Sequence, residues 1–306
     1  MEFESKSIWR LDSDVVYLIV NADDYGYFDG VSRGILQAHR EGVVSATGIL
    51  ANGEDFERHV EWLGEAPDLD VGVHLNLTHG VPLTQACRGK LTDVGGEFSS
   101  ATSLLRSLLM RSISLRVIEI EWRAQIQRCV EAGLRPRFLN SHEHVHVLPP
   151  LFRVVQRLAS EFQIKSIRLP ATEWLRPWSI AAVGRNLYVS CLGALNRGAE
   201  NLLAPRFLGL AKSGKLDRQY FETVLPKLIP GKCYELMCHP GIGDFHELSS
   251  ARLLDYHNWD LELSALCDPS LPELLARYNV TVIGYRALQC EISDGRRISS
   301  GRINDS

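Results

Sequence analysis

The sequence lacks the long apolar segments of a membrane protein and the cysteine pairs of a disulfide-rich or zinc-knuckle domain. No stretch of its 306 residues approaches the roughly 20 consecutive apolar residues that cross a bilayer. Its seven cysteines are an odd number, widely scattered and without a CxxC pair, so reduced buried thiols are expected. Residues 1–15 carry charges throughout and lack the apolar run of a secretory signal, which predicts a cytoplasmic protein.

A surplus of positive charge is also missing. The formal net charge is -4 at pH 7, whereas a nucleic-acid-binding protein normally presents a basic face to the phosphates. The hydrophobic content of 45% is ordinary for a globular protein. The negative charge therefore argues against a nucleic-acid partner. Because neither an internal repeat nor a low-complexity linker divides the chain, we expect a single domain.

Short β-branched segments alternate with helical patterns along most of the chain. Val15–Asn21 (VVYLIVN), a nearly continuous apolar run, is typical of a strand buried on both faces of a parallel sheet. Further strands are predicted at residues 43–50, 69–77, 137–141, 166–169, 232–238 and 280–284. This alternation predicts an α/β fold, either a distorted (β/α) TIM-like barrel of about seven parallel strands or a doubly wound sheet.

The placement of the polar clusters favours the barrel. They follow the carboxyl ends of four or five strands, which a barrel gathers on one face and an open sheet spreads along a crevice. The predicted barrel domain covers residues 15–287, after an N-terminal extension at 1–14. A helical excursion is expected within it at 171–214, and a polar, disordered tail at 288–306.

Two adjacent carboxylates end the first strand, in the motif Asn21–Gly26 (NADDYG). Carboxylates that leave an apolar strand are costly to bury unless a positive group lies beside them. A metal ion would compensate this charge, with one carboxylate as ligand and the other as base for a water on the metal. Asp24 could equally cap the amides of a simple turn, so this motif alone leaves both interpretations open.

Histidines follow two other predicted strands. His74 lies in Gly72–Thr78 (GVHLNLT), where a hydrogen-bonded core histidine is the ordinary alternative to a metal ligand. Asn140–His146 (NSHEHVH) is the strongest signal, because three histidines at alternate positions share one face if the segment is extended. Neutral imidazole binds zinc and other divalent first-row metals. We do not expect all three to bind one ion, and His144 and His146 have no assigned role.

Two more polar residues end later strands. His239 lies in Tyr234–Gly241 (YELMCHPG), either at a plain turn or as a general acid across the site from the metal. Arg168 lies in Ile167–Pro170 (IRLP), either as a surface cation or as the buried partner of a carboxylate. One carboxylate and two histidines leave positions on a metal open, which indicates hydrolysis of an amide or ester. Non-heme iron oxygenases use the same set.

These motifs, in this order, resemble the YdjC-like carbohydrate deacetylase family over roughly residues 15–287. The resemblance implies a distorted (β/α) barrel and a divalent metal ion, Zn²⁺ or Mg²⁺. It also implies the removal of acetate from an N-acetylglucosamine-type sugar, which would be the partner of the protein. The implied metal ligands are Asp24, His74 and His142, and the implied catalytic residues are Asp23 as general base, Arg168 as its partner, and His239 as general acid.

Two positions depart from the pattern of the family. Asn140 stands where an aspartate is usual, and Glu143 where another histidine is frequent. A change from Asp to Asn beside a ligand would weaken the orientation of that ligand or alter the metal preference, without removing a ligand. Asn140 is also the only feature that favours a non-catalytic sugar-binding protein. Another metal-dependent amide, ester or phosphate hydrolase on the same barrel is the further alternative.

The excursion at 171–214 carries Trp174 and Trp178 among arginines and aliphatic residues. It is expected to form a helical lid on the barrel. A sharper hypothesis is a partly apolar entrance for a lipid-linked sugar, with an approach to a membrane surface but without a membrane span. The acceptor, either a free oligosaccharide or a glycolipid, and a homodimer are left open by the sequence.

Overall fold

The computed structural model describes residues 12–170, 204–243 and 251–294, and in addition residues 183, 187, 189, 192 and 196. The strands are β1 (Val16–Tyr25), β2 (Ala46–Ile49), β3 (Asp70–Leu75), β4 (Phe138–Ser141), β5 (Ser166–Ile167), β6 (Arg206–Leu208), β7 (Cys233–Cys238) and β8 (Val280–Val282). The α-helices are α1 (Asp29–Arg40), α2 (Phe56–Leu63), α3 (Ala101–Leu109), α4 (Leu115–Glu131), α5 (Pro149–Glu161), α6 (Arg218–Val224), α7 (Ala251–Tyr256), α8 (Trp259–Leu266), α9 (Leu271–Arg277) and α10 (Tyr285–Asp294). Short 3₁₀ helices lie at His142–Val147, Leu210–Lys212 and Leu225–Lys227.

The strands form one sheet in which the described pairings are parallel, with the order β5-β4-β3-β2-β1-β7-β6. β1 is the centre of this sheet and has three partners. β8 pairs with its first residues, from Val16 to Leu18, and β2 pairs with its later part from Asn21 onwards. The result is a single α/β domain with the curled parallel sheet of a distorted TIM-like barrel, which confirms the predicted fold class.

The seven predicted strands are all present, and an eighth, β6, is not predicted from the sequence. β6 is only three residues long, with an exposed Arg206 beside the buried Phe207, so its pattern is too short to recognise. It lies inside the predicted excursion, whose Trp174 and Trp178 fall outside the described residues. α10 crosses the predicted domain boundary at residue 287, and residues 295–306 again lie outside the described part of the chain.

β1 is buried along its whole length because both of its faces are covered. Leu18 and Val20 belong to the main hydrophobic core, whereas Tyr17 and Ile19 belong to a second cluster that includes Tyr285 of α10. Successive residues of a strand point to opposite faces, which explains this alternation. The near-continuous apolar pattern of the strand is therefore the direct consequence of its central position.

The second cluster lies at the amino-terminal ends of the strands. Several of its members are at or near the first residue of a strand: Tyr17, Ala46, Phe138 and Cys233. Phe138 stacks on Tyr285 with ring centroids 4.3 Å apart, and a side chain at Gly72 would stand 2.5 Å from the Phe138 ring. Truncating such a buried ring typically costs about 3–5 kcal/mol of stability. Apolar packing thus fills this end of the sheet.

In the described part of the chain, none of the helices combines the length and apolar character that a bilayer span requires.

Candidate active site and metal centre

The carboxyl ends of β1, β3, β4 and β7 contribute to a cavity of about 600 Å³. Five of the six predicted site residues line it: Asp23, Asp24, His74, His142 and His239. The sixth, Arg168, is buried against Asp23. Apolar side chains such as Leu105, Leu210 and Met237 form part of the wall. The tertiary structure therefore brings together residues that the sequence separates by more than 200 positions.

Asp23 and Asp24 both line the cavity, although consecutive residues of a strand ordinarily point to opposite faces. The register between β1 and β2 shifts between Ala22 and Tyr25, as in a β-bulge. Within this irregularity Asp24 has a left-handed φ of 69°. Positive φ is uncommon outside glycine, is most tolerated by Asp and Asn, and concentrates at functional sites. The bulge therefore accounts for the presence of both carboxylates on the cavity.

Asp24, His74 and His142 form one compact set of donor atoms. Asp24 Oδ1 lies 3.1 Å from His74 Nε2 and 2.9 Å from His142 Nδ1. One ligand atom from each residue can be chosen so that all lie within 4.8 Å of one another. Imidazole and carboxylate are common ligands of zinc and related ions, and three protein ligands leave room for a water or substrate. These residues could hold a divalent metal ion.

The charges of this set support one another. Burial raises the pKa of Asp24, but the neighbouring His142 and His74 outweigh it and hold that pKa well below its usual range. Burial lowers the pKa of His142, yet the Asp24 carboxylate brings it above its ordinary value. A buried carboxylate of this kind requires a positive partner, which either an imidazolium or a metal ion supplies.

Asp23 is held by a buried arginine. Arg168 Nη2 donates to Asp23 Oδ1 at 2.9 Å, and its Nη1 donates to Asp23 Oδ2. The Arg168 Nε donates to Glu235 Oε1 at 2.7 Å, so the guanidinium is shared by two carboxylates. Burial raises the pKa of Asp23, but the charge of Arg168 outweighs this effect and lowers the pKa to about 2. Asp23 is therefore ionised and is held in place by a bidentate contact with Arg168.

Asn140 joins the donor set to Asp23. Its Oδ1 lies 2.8 Å from His74 Nδ1, and its Nδ2 donates to Asp23 Oδ1 at 2.9 Å. Asn21 donates to the same Asp23 oxygen at 2.8 Å. Asn140 is fully buried, so water does not compete for these contacts. Asn140 therefore contacts both His74 and Asp23.

The segment after β4 is not extended, so the condition for three aligned histidines is not met. His142–Val147 forms a 3₁₀ helix, in which Glu143 and His144 have left-handed φ values of 51° and 53°. The chain turns at once after β4, which brings the ring of His142 to Asp24 and separates the other two rings from it. The three histidines therefore do not share one face.

His144 and His146 have surroundings of their own. The His144 ring meets Phe207 edge-on at 5.7 Å between centroids and also lines the cavity. His146 is buried, with Nδ1 2.7 Å from Ser141 Oγ and Nε2 2.8 Å from the carbonyl oxygen of Arg168. This histidine connects the ends of β4 and β5 and has a structural place in the site.

His239 lines the cavity at the end of β7 and is held by α8. Its backbone N–H donates to Glu262 Oε2, and its ring Nδ1 lies 3.9 Å from the same oxygen. The buried Glu262 also accepts the backbone N–H of Leu216 at 3.1 Å. His257 packs against the His239 ring at 4.9 Å between centroids. One buried carboxylate therefore fixes the loop that carries His239.

Sequence reasoning gave no role to several residues of the site: Glu235, Glu262, His79 and His257. Glu235 had a usable signal, because a carboxylate inside the apolar strand YELMC needs a positive partner. Glu262 had none, since a glutamate in a helix is ordinarily a solvated residue. His79 stacks on Tyr27 at 4.3 Å, and burial lowers its pKa to about 4. Burial and the nearby His239 lower the pKa of His257 to about 3.

Comparisons with known proteins agree with the motifs. A carbohydrate deacetylase from Geobacillus stearothermophilus is 33% identical over 270 residues, which cover 88% of this chain and 97% of that protein. A carbohydrate deacetylase from Brevibacillus brevis is 44% identical over 158 residues, which cover 52% of this chain and 60% of that protein.

The fold has a close counterpart among solved structures. A protein from Enterococcus faecalis V583, described as a candidate cellobiose-phosphate cleavage protein, superimposes with a TM-score of 0.71. It is 25% identical, and the superposition covers 90% of this chain and 99% of that one. The profile of YdjC-like proteins matches residues 17–277. With this match over most of its length, the chain belongs to the YdjC-like protein family.

Proposed function

We propose that the protein is a metal-dependent carbohydrate deacetylase, which hydrolyses the N-acetyl group of an N-acetylated sugar and releases acetate and a free amine. The carrying observation is the donor set of Asp24, His74 and His142 beside an Asp23 that Arg168 keeps ionised. The carbohydrate deacetylases named above support the reaction class. The sugar is expected to be of the N-acetylglucosamine type, in an oligosaccharide or a glycolipid.

The chemistry of the donor set fits a zinc-class ion better than magnesium. Zn²⁺ is bound by histidine and carboxylate, whereas Mg²⁺ prefers oxygen ligands in an octahedral arrangement. Asp24, His74 and His142 would hold the ion. It would polarise the acetyl carbonyl and lower the pKa of a water towards 7.

The chain's own residues would then move the protons. Asp23 would accept a proton from the attacking water; its low pKa is adequate because the water it deprotonates is acidified at the same site. A bond forms between the water oxygen and the acetyl carbon, and the bond from that carbon to nitrogen breaks. His239 would deliver a proton to the departing nitrogen, so that the amine leaves neutral.

The test is the release of acetate from N-acetylglucosamine oligomers by metal-depleted protein, with Zn²⁺ or Mg²⁺ added back. We expect acetate only after metal is restored, and more with Zn²⁺. Hydrolysis of aryl acetates or sugar phosphates without any acetate from the N-acetyl sugars would favour another hydrolase on the same barrel. Binding of the sugar without its hydrolysis, whichever metal ion is added, would favour a non-catalytic sugar-binding protein.

A further inference from the structure

We propose that Asn140 is a positioning residue that selects the tautomer of His74, in which Nδ1 carries the proton and Nε2 is free to bind a metal ion. This inference rests on the proposed metal site. Its basis is the buried chain of contacts Arg168–Asp23–Asn140–His74, whose hydrogen bonds can run in one direction only.

The direction starts at Arg168, which donates hydrogen bonds and accepts none. Asp23 receives two of them from Arg168 and is an acceptor on both oxygens. The Asn140 atom that faces Asp23 must therefore be the amide nitrogen, and it lies 2.9 Å from Asp23 Oδ1. The oxygen and nitrogen of an amide group have nearly the same shape, so the hydrogen bond to Asp23 is what fixes which of them faces His74.

The other end of the amide then faces His74. Asn140 Oδ1 lies 2.8 Å from His74 Nδ1, and an amide oxygen only accepts. His74 must carry a proton on Nδ1, which leaves the lone pair of the neutral ring on Nε2. That nitrogen lies 3.1 Å from Asp24 Oδ1. Two acceptors at this distance repel each other, and a metal ion bound by both would relieve this repulsion.

The sheet places the two side chains for this contact. His74 of β3 and Asn140 of β4 are register partners on parallel strands. Gly48 of the adjacent strand β2 leaves the space, since a Cβ there would stand 3.1 Å from Asn140 Oδ1 and 3.2 Å from His74 Cβ. Packing and hydrogen bonding therefore agree on one arrangement of this pair.

An aspartate at position 140 would act differently. It could accept from His74 Nδ1, but it could not donate to Asp23, and the two carboxylates would face each other at the position of the present 2.9 Å contact. Like charges at this separation cannot both stay ionised without a further cation. Asn140 thus satisfies both neighbours without a shared proton, which an aspartate could not do.

The tautomer is measured by ¹⁵N NMR of the imidazole nitrogens in metal-free protein at mildly alkaline pH, with His74 assigned by its loss in His74→Gln. We expect Nδ1–H for His74 in the wild type and loss of this preference in Asn140→Leu, which keeps the number of side-chain heavy atoms but makes no hydrogen bond. Zinc titration should show affinity weaker by roughly 10–100-fold in Asn140→Leu, the usual effect of losing a group that orients a ligand.

The matched control is Asn21→Leu, because Asn21 donates to the same Asp23 oxygen but is not bonded to His74. It should leave the His74 tautomer unchanged. Asn140→Asp should keep the tautomer but unfold at lower denaturant than wild type when metal-free. An unchanged tautomer and zinc affinity in Asn140→Leu would overturn the proposal, as would loss of the tautomer in Asn140→Asp. The NMR readout needs neither metal nor turnover, so it separates this inference from a failure of deacetylation itself.

Discussion

Asp23 and Asp24 are adjacent in the chain, yet the carboxylate of Asp23 contacts an arginine and that of Asp24 contacts histidines. Asp23 accepts both Arg168 contacts, while Asp24 Oδ1 lies 2.9 Å from His142 Nδ1. The arginine is a permanent cation that cannot be displaced, whereas the imidazole can exchange its proton for a metal ion. Two neighbouring carboxylates therefore acquire different roles from their surroundings, one as a candidate base and one as a candidate ligand.

The first prediction concerns metal content. Asp24→Asn and His142→Gln should each lose most of the bound zinc, because each removes a charge or a donor atom from the set. Asparagine is chosen at position 24 because it tolerates the left-handed φ of 69°. Elemental analysis of the purified proteins gives the answer. His144→Asn is the control, at a left-handed position near the site but outside the donor set, and should keep the ion. Equal zinc in all variants would contradict the assignment.

The second prediction concerns Asp23. Asp23→Asn should lower turnover on N-acetylglucosamine oligomers by about a hundredfold or more, the usual contribution of a general base, while the zinc content stays near that of the wild type. The new amide must turn an N–H towards one of the donors around it, so a lower melting temperature is expected as well. Assays are therefore made well below that temperature. Turnover near the wild-type value would transfer the role of base to another residue.

The third prediction concerns Glu262. If it holds His239 in place for protonation of the leaving group, Glu262→Gln should slow N-acetyl sugar hydrolysis by roughly tenfold, part of the 10²–10⁴ that an acid contributes. Hydrolysis of an activated aryl acetate, whose leaving group departs without a proton, should change little. The comparison of kcat for the two substrates is the measurement.

Glu121→Gln is the matched control for that experiment. Glu121 is also a buried helical carboxylate that accepts backbone N–H groups, but these are the N–H groups of Leu83 and Thr84, whereas Glu262 accepts that of His239. It should lose stability without separating the two substrates. If Glu262→Gln reduces both activities equally, its role is only to stabilise the fold.

The fourth prediction concerns stability in acid. The folded pKa values of His79, His146 and His257 are lowered to about 4, 3 and 3, each chiefly by burial. In the unfolded chain these histidines have a pKa of 6.5, so below pH 6.5 the unfolded chain binds protons that the folded chain does not bind. The free energy of unfolding of metal-free protein should therefore fall as the pH drops from 6.5 towards 4. Above 6.5 these residues contribute no slope. The pKa of His142 is raised instead, so His142 changes the free energy of unfolding only above pH 6.5.

His146→Gln isolates one of these protons. Its amide can still donate to the Arg168 carbonyl, which His146 Nε2 now faces at 2.8 Å. Urea unfolding across this pH range should show a slope smaller by up to about 1.4 kcal/mol per pH unit, the effect of a single proton. If the free energy of unfolding varies with pH equally in the variant and the wild type, His146 does not contribute to the pH dependence.

The sequence by itself determined the strands and the chemical nature of the site. Apolar runs such as Val15–Asn21 identify buried parallel strands, and the polar residues that end them are the ones a barrel gathers on one face. These patterns indicate that carboxylates and histidines meet at strand ends, and the resemblance to the YdjC-like family implied Asp24, His74 and His142 as the donor set. The short β6 escaped because three residues carry too little periodicity.

The tertiary structure alone decided how these residues are used. Asn140 lies 66 residues from His74 and 117 from Asp23 in the chain, and only the register of β3 with β4 brings it between them. Glu262 meets His239 only because α8 packs against the end of β7. The bulge at Asp24 and the turn after His142 break the two-residue period on which strand prediction relies. Local patterns encode which side chains can bind, whereas packing and register set their orientation and partners.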